Sequence, residues 1–167
     1  MAINRLNHAV LYVRDAQRSA QFYEDVLGFR RIEAYDVPIG VFLRAEGSTN
    51  DHDLALFSIG DRAGPSTAGR QTVGLYHLAW EVDTLGDLQR LSEKLSAAGA
   101  LVGATDHGTT RALYGKDPDG IEFELTWVLP RELLSDVDPV GAMKPLNLAA
   151  DIERFGADTL GGVGVSR

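Results

Sequence analysis

Apolar side chains recur along this chain in two periods, and each change of period falls at a turn-forming residue. Residues 6–14 are rich in Val, Leu and Tyr and predict a strand. Asp15 then opens a stretch in which Ala20, Tyr23, Val26 and Leu27 recur at helical spacing, so a helix is expected over 16–27. Gly28 stands where a left-handed residue would close that helix. Further strands are expected over 29–35, 41–45 and 52–59, divided by Pro38-Ile39-Gly40 and Gly47-Ser48-Thr49-Asn50. Together these make a first module over 1–60. The segment 61–73, containing Gly64-Pro65-Ser66-Thr67-Ala68-Gly69, is turn-rich and reads as a linker.

The same order then begins again. A strand is expected over 75–82, a helix over 85–98 capped by Thr84 and ended by Gly99, and strands over 101–105, 111–116 and 121–128. Asp117-Pro118-Asp119-Gly120 is a strong turn signal between the last two. The second module therefore covers 74–129. Letters repeat as well as pattern. Leu6-Asn7-His8-Ala9-Val10-Leu11-Tyr12-Val13 lies over Leu75-Tyr76-His77-Leu78-Ala79-Trp80-Glu81-Val82, both reading L-x-H-x-x-x-x-V. The expected fold is α+β, two βαβββ modules forming one domain. Residues 130–167 form a C-terminal appendage, with short helices expected at 131–134 and 146–155 and a frayed glycine-rich end. It is expected to pack on the core or on a second subunit.

Composition narrows the chemistry. Of 167 residues 44% are hydrophobic and 24% charged, an ordinary globular balance. A formal charge of −8 makes nucleic acid a poor partner. No stretch is long and apolar enough to span a bilayer and no leader pattern opens the chain, so a cytoplasmic protein without membrane association is expected. There are no cysteines, which excludes disulfides, thiolate metal sites and cysteine nucleophiles. Any transition-metal site must use carboxylates and the four histidines, His8, His52, His77 and His107.

His8 and His77 occupy equivalent places in the two repeats. One histidine on a strand is ordinarily a core or strand-end group. Two related by a repeat would meet across its twofold axis, and two inward imidazoles begin a metal site. The last strand carries Glu122 and Glu124 on one face, with Phe123, Leu125 and Trp127 on the other. A carboxylate within an apolar strand is costly unless paired or metal-bound. Glu124 lies deeper in the strand than Glu122, which an ordinary solvent-facing role explains. His8, His77 and Glu124 then make the two-His, one-carboxylate set of non-haem Fe(II) oxygenases, which also serves Mn(II) and, with a fourth ligand, Zn(II) or Ni(II).

The chain resembles the vicinal oxygen chelate superfamily, which includes glyoxalase I, fosfomycin and bleomycin resistance proteins and type I extradiol dioxygenases. The resemblance is carried by Asn7-His8-Ala9-Val10-Leu11-Tyr12-Val13, by Phe22-Tyr23-Glu24-Asp25-Val26-Leu27-Gly28-Phe29, by Tyr76-His77-Leu78-Ala79-Trp80-Glu81-Val82 and by Asp117-Pro118-Asp119-Gly120-Ile121-Glu122-Phe123-Glu124. It implies mixed sheets curled into a half-open barrel around a metal held by His8, His77 and Glu124. Three further residues resemble the extradiol branch: His52, Tyr114 and His107. His52 is implied as acid/base, since an imidazole exchanges protons near neutral pH. Tyr114 would donate a hydrogen bond to a catecholate oxygen, with His107 in support.

The expected activity is Fe(II)-dependent extradiol cleavage of a catechol-like ring by O2, with Mn(II), Zn(II) or Ni(II) as other possible metals. Phe42, Phe57 and Trp80 are expected to supply apolar walls. A homodimer is expected from the resemblance alone. The alternatives are a glyoxalase I-like metal-dependent lyase or isomerase and a ligand-sequestering resistance protein of the same fold. A glyoxalase I site needs a fourth ligand, a carboxylate, but the repeat sets Ala55 opposite Glu124, with Asp53 shorter and nearer the strand end.

Overall fold

In a computed structural model the described residues are 2–3, 5–34, 37–69, 71–136 and 143–162, with Ser135 and Asp136 described by backbone only. They form two compact units: Met1–Ser66 with Asp117–Gly120, and Thr67–Lys116 with Ile121–Arg167. Among the described residues the architecture is α+β, as the sequence pattern predicts, with three α-helices and with two mixed sheets of the kind the resemblance implies.

The first unit contains β1 (Ala9–Val13), α1 (Ala16–Leu27), β2 (Arg30–Arg31), β3 (Gly40–Arg44) and β4 (Leu54–Ser58), in sheet order β1-β4-β3-β2. β1 runs parallel to β4, and β3 antiparallel to β4 and β2. Helix α1 matches its predicted bounds because both stops work as expected. The Asp15 side chain accepts from the Gln17 and Arg18 amides, and Gly28 closes the helix at φ 79°. α1 buries Ala16, Ser19, Ala20 and Tyr23 and packs on β3 and β4, beneath which lie Leu43, Leu54 and Leu56. The strand expected over 29–35 is shorter than the pattern suggests. Only Arg30 and Arg31 pair in register, with Arg44 and Leu43; the Ile32 amide still donates to Phe42 O at 2.9 Å, and Glu33 and Ala34 already turn. Tyr35 lies outside the described residues.

The second unit repeats the order with β5 (Leu78–Glu81), α2 (Leu85–Ala97), β6 (Leu101–Asp106), β7 (Thr110–Lys116) and β8 (Glu122–Val128). Its sheet order is β5-β8-β7-β6-β9, where β9 (Lys144–Pro145) is an edge pairing with β6 that the pattern did not predict. A proline is tolerated at such an edge. β5 is parallel to β8, and the other pairs are antiparallel. β8 alternates as read from its letters, with Phe123, Leu125 and Trp127 buried and Glu122 and Glu124 on the other face.

The appendage is built into this second unit. After a short 3-10 helix, Arg131–Asp136, helix α3 (Leu148–Phe155) is capped by Asn147 and packs on α2. Beyond it the chain is held by backbone bonds, Gly161 N–H to Asp83 O and Gly162 N–H to Val128 O, both 2.7 Å. The Trp127 indole donates to Thr159 O at 3.1 Å. A side chain at Gly161 would begin 2.6 Å from that indole nitrogen, so the close approach requires glycine. Through Gly162, then, the expected fraying is replaced by pairing; residues 163–167 lie outside the described residues. Among the described residues no helix is long and apolar enough to cross a membrane.

Candidate functional site

His8 and His52 both stand just before a strand rather than within one, and β1 and β4 hold them by their parallel register. Ala9 pairs with Leu54, and the Ala9 amide donates to Asp53 O at 3.0 Å. That places the two imidazole centroids 4.4 Å apart at a 43° tilt. His52 also meets the edge of Phe42 at 5.2 Å, and Phe42 meets Phe57 at 6.0 Å. The His52 side chain is 13% exposed, with Nδ1 3.2 Å from the Asp51 carboxylate. His8 is exposed, and its Nδ1 lies 2.8 Å from Asn7 Oδ1. In the tautomer that donates Nδ1–H to Asn7, Nε2 keeps its lone pair for a metal.

Asp53 has a different task. Its carboxylate accepts from the Ala45 amide at 2.9 Å, the Ser48 hydroxyl at 2.7 Å and the Asn50 amide group at 2.7 Å. Asn50 in turn donates to Asn7 O at 2.8 Å. This buried carboxylate ties the loop before β4 to the segment before β1, and its hydrogen-bonding capacity is taken up there. At the register position that Glu124 holds in the second unit stands Ala55: Val10 pairs with Ala55 as Ala79 pairs with Glu124.

In the second unit, the face of β8 bearing Glu124 gathers three more predicted site residues. His77, immediately before β5, places Nε2 3.0 Å from Glu124 Oε2. Its Nδ1 is buried and makes no hydrogen bond to the described residues. Tyr114 is the direct cross-strand neighbour of Glu124 on β7, and its ring centroid lies 5.7 Å from that of His77. His107 Nε2 lies 2.8 Å from the Tyr114 hydroxyl. Burial, then the charge of Glu124, then Tyr76 raise the Tyr114 pKa above its ordinary value, so the phenol stays protonated at neutral pH.

Trp80 departs from expectation. It pairs in register with Leu125 and so lies on the core face of the sheet, opposite Glu124. Alternation along β5 puts Ala79, not Trp80, beside the site.

The donors suit a divalent ion in kind. Two ligands of one metal at about 2.1 Å and roughly a right angle stand about 3.0 Å apart, the spacing of His77 Nε2 and Glu124 Oε2. Within neither unit do three described His, Cys, Asp or Glu side chains cluster closely enough to hold a metal unaided.

Sequence reasoning missed Arg111, a cation only 2% exposed on β7. Its guanidinium bonds Asp106 Oδ1 and Gly108 O, each at 2.7 Å, and grips Asp151 of α3 through Nε at 2.8 Å and Nη2 at 3.1 Å. The signal was present in the letters: an arginine within Thr-Arg-Ala-Leu-Tyr, at a position facing the core, demands a buried partner.

The model of the Glyoxalase/Bleomycin resistance protein/Dioxygenase superfamily matches residues 5–125. A biphenyl-2,3-diol 1,2-dioxygenase from Rhodococcus globerulus is 36% identical over 72% of the chain and 62% of the relative. A probable lactoylglutathione lyase from Synechocystis is 30% identical over 72% of the chain and 92% of the relative. Among solved structures, a glyoxylase/bleomycin resistance protein/dioxygenase domain from Frankia superposes with a TM-score of 0.62 at 23% identity, covering 75% of this chain and 92% of that one. The chain spans only about half the length of the dioxygenase relatives, 45% and 62% in two cases.

Proposed function

The chain belongs to the Glyoxalase/Bleomycin resistance protein/Dioxygenase superfamily, and from that premise we propose that it is an extradiol-type dioxygenase opening a catechol-like ring with O2. The observation that carries this reading is Tyr114: a phenol directly across from Glu124 and hydrogen-bonded to His107. A catechol reaction needs a neutral donor beside a bound oxyanion.

In this proposal His8, His77 and Glu124 hold the divalent metal, with Fe(II) as the working ion. Bound there, the metal would supply Lewis-acid stabilisation of charge on the substrate's oxygens. The remaining work falls to side chains. His52 takes a proton from a substrate hydroxyl at one ring nitrogen and returns it to the product, while its tilted contact with His8 and edge contact with Phe42 hold the ring in one orientation. Tyr114 Oη donates a hydrogen bond to the substrate oxygen that carries negative charge. Phe42 and Phe57 exclude water beside His52.

A lyase of the glyoxalase I kind is the second reading, prompted by the relative that the chain nearly spans. Against it stands the fourth-ligand position, where Ala55 offers no donor and Asp53 is engaged by Ala45, Ser48 and Asn50. Conversion of His52 to alanine separates its role as base from one as ligand. We expect turnover to fall roughly 10²–10⁴-fold with metal content unchanged by elemental analysis. Loss of the metal instead would make His52 a ligand and remove it as the base.

A further inference from the structure

We propose that the C-terminal helix α3 is a positioning element of the catalytic site, acting through Arg111 on the loop that carries His107. The inference rests on the functional reading above. The helix itself lies beyond residue 125, outside the superfamily match.

The Arg111 guanidinium lies on the core face of β7, away from Tyr114. It nevertheless reaches both neighbours of His107 in sequence: the Asp106 carboxylate and the Gly108 carbonyl. Asp106 also accepts the Gly108 amide at 2.7 Å, and the His107 amide donates to Thr110 O at 3.0 Å. The Gly108 side of His107 is therefore held by the Arg111 side chain, directly and through Asp106, while the Asp106 backbone lies in the β6 pairings with β7 and β9.

That side chain is fixed from the tail. Asp151 accepts two parallel bonds from the guanidinium, a geometry that sets its plane as well as its place. The ring of Phe155, one turn further along α3, lies 5.6 Å from the guanidinium carbon. A guanidinium this buried cannot swing to another carboxylate without exposing charge to an apolar core. The order of effect runs from α3 to Arg111, to the His107 backbone, to the imidazole, and so to the phenol. With His107 Nε2–H donating to Tyr114 Oη, the phenolic hydrogen is left for substrate. A His107 that wanders releases the phenol to rotate and loses that aim.

The test is Asp151→Asn, with Asp151→Glu as the milder change and Glu153→Gln, an exposed acid on the same helix, as control. In metal-free protein, the 15N resonances of His107 and the Tyr114 Cζ resonance are read by NMR. The inference predicts that both move toward the values of unbonded groups in Asp151→Asn and part of the way in Asp151→Glu. The His8 and His52 resonances stay where they are in the wild type, and Glu153→Gln changes nothing. In metal-loaded protein kcat falls roughly 10–100-fold while KM and metal content hold. Should Asp151→Asn not fold, Asp151→Glu alone decides. His107 and Tyr114 resonances coinciding with wild type in a folded variant would overturn the inference. The metal-free spectra decide the matter even if no catechol is turned over, a result that would count against the dioxygenase reading alone.

Discussion

Two tyrosines with raised pKa values do different things. Tyr23 is buried under α1 with its hydroxyl 3.5 Å from the Asp117 carboxylate. Burial first, then Asp117, push its pKa well above 10.0. Because the folded state holds this proton more tightly than the unfolded chain, its share of stability is complete below about pH 10 and is lost as pH climbs through the raised value. Tyr114 has the same direction of shift, but it stands on the face with Glu124 and His77. Replacing it with phenylalanine removes a donor and little volume. Turnover is expected to fall about 10²-fold with metal content and melting temperature near wild type. In alkaline titration of the metal-free protein at the phenolate band, the same variant should lose one of the late-titrating tyrosines. A phenol that titrated early would mean Tyr114 is solvated and no donor. The resemblance to the extradiol branch pointed to Tyr114. It could not show the cross-strand pairing that shifts the group, because that depends on the register of β7 against β8.

Helix α1 was fully legible because its ends are chemical. Asp15 and Gly28 act on the backbone next to them, and nothing distant is needed. Asp15→Ala should lower unfolding free energy by about 1 kcal/mol, read as a lower denaturant midpoint at unchanged slope. β2 and β9 were misjudged or missed for the opposite reason: edge strands exist only where a neighbour supplies hydrogen bonds. The turn Asp117-Pro118-Asp119-Gly120 was recognised from its turn chemistry, yet its carboxylates also act at a distance. Asp119 pairs with Arg14 at 2.8 Å and accepts the Arg14 amide at 3.0 Å, while Asp117 faces Tyr23. Arg111 and Asp151, forty residues apart, show the same limit most clearly. Removing Asp151 by alanine leaves a buried cation with half its partners and should cost roughly 3–5 kcal/mol in equilibrium unfolding. A loss below about 1 kcal/mol would mark the pair as an ordinary surface bridge.

At the scale of the whole chain, the repeat carried more information than any single motif. The match of Leu6–Val13 to Leu75–Val82 foretold two units of like strand and helix order, and the registers honour it residue by residue, Val10 with Ala55 as Ala79 with Glu124. That equivalence separates the two catalytic readings, since the first unit offers alanine where a fourth ligand would stand. The appendage was legible only as something outside the repeat. Its anchoring to the second unit comes from a buried arginine and an indole nitrogen that no periodicity reveals. The most direct test of the account is oxygen consumption by the Fe(II)-loaded protein, loaded anaerobically and then given O2 with each of a panel of catechols. The account predicts uptake of one O2 per catechol consumed, with a yellow ring-opened product, for at least one of them. Protein holding one metal per chain that consumes no oxygen and yields no such product with any catechol would contradict it.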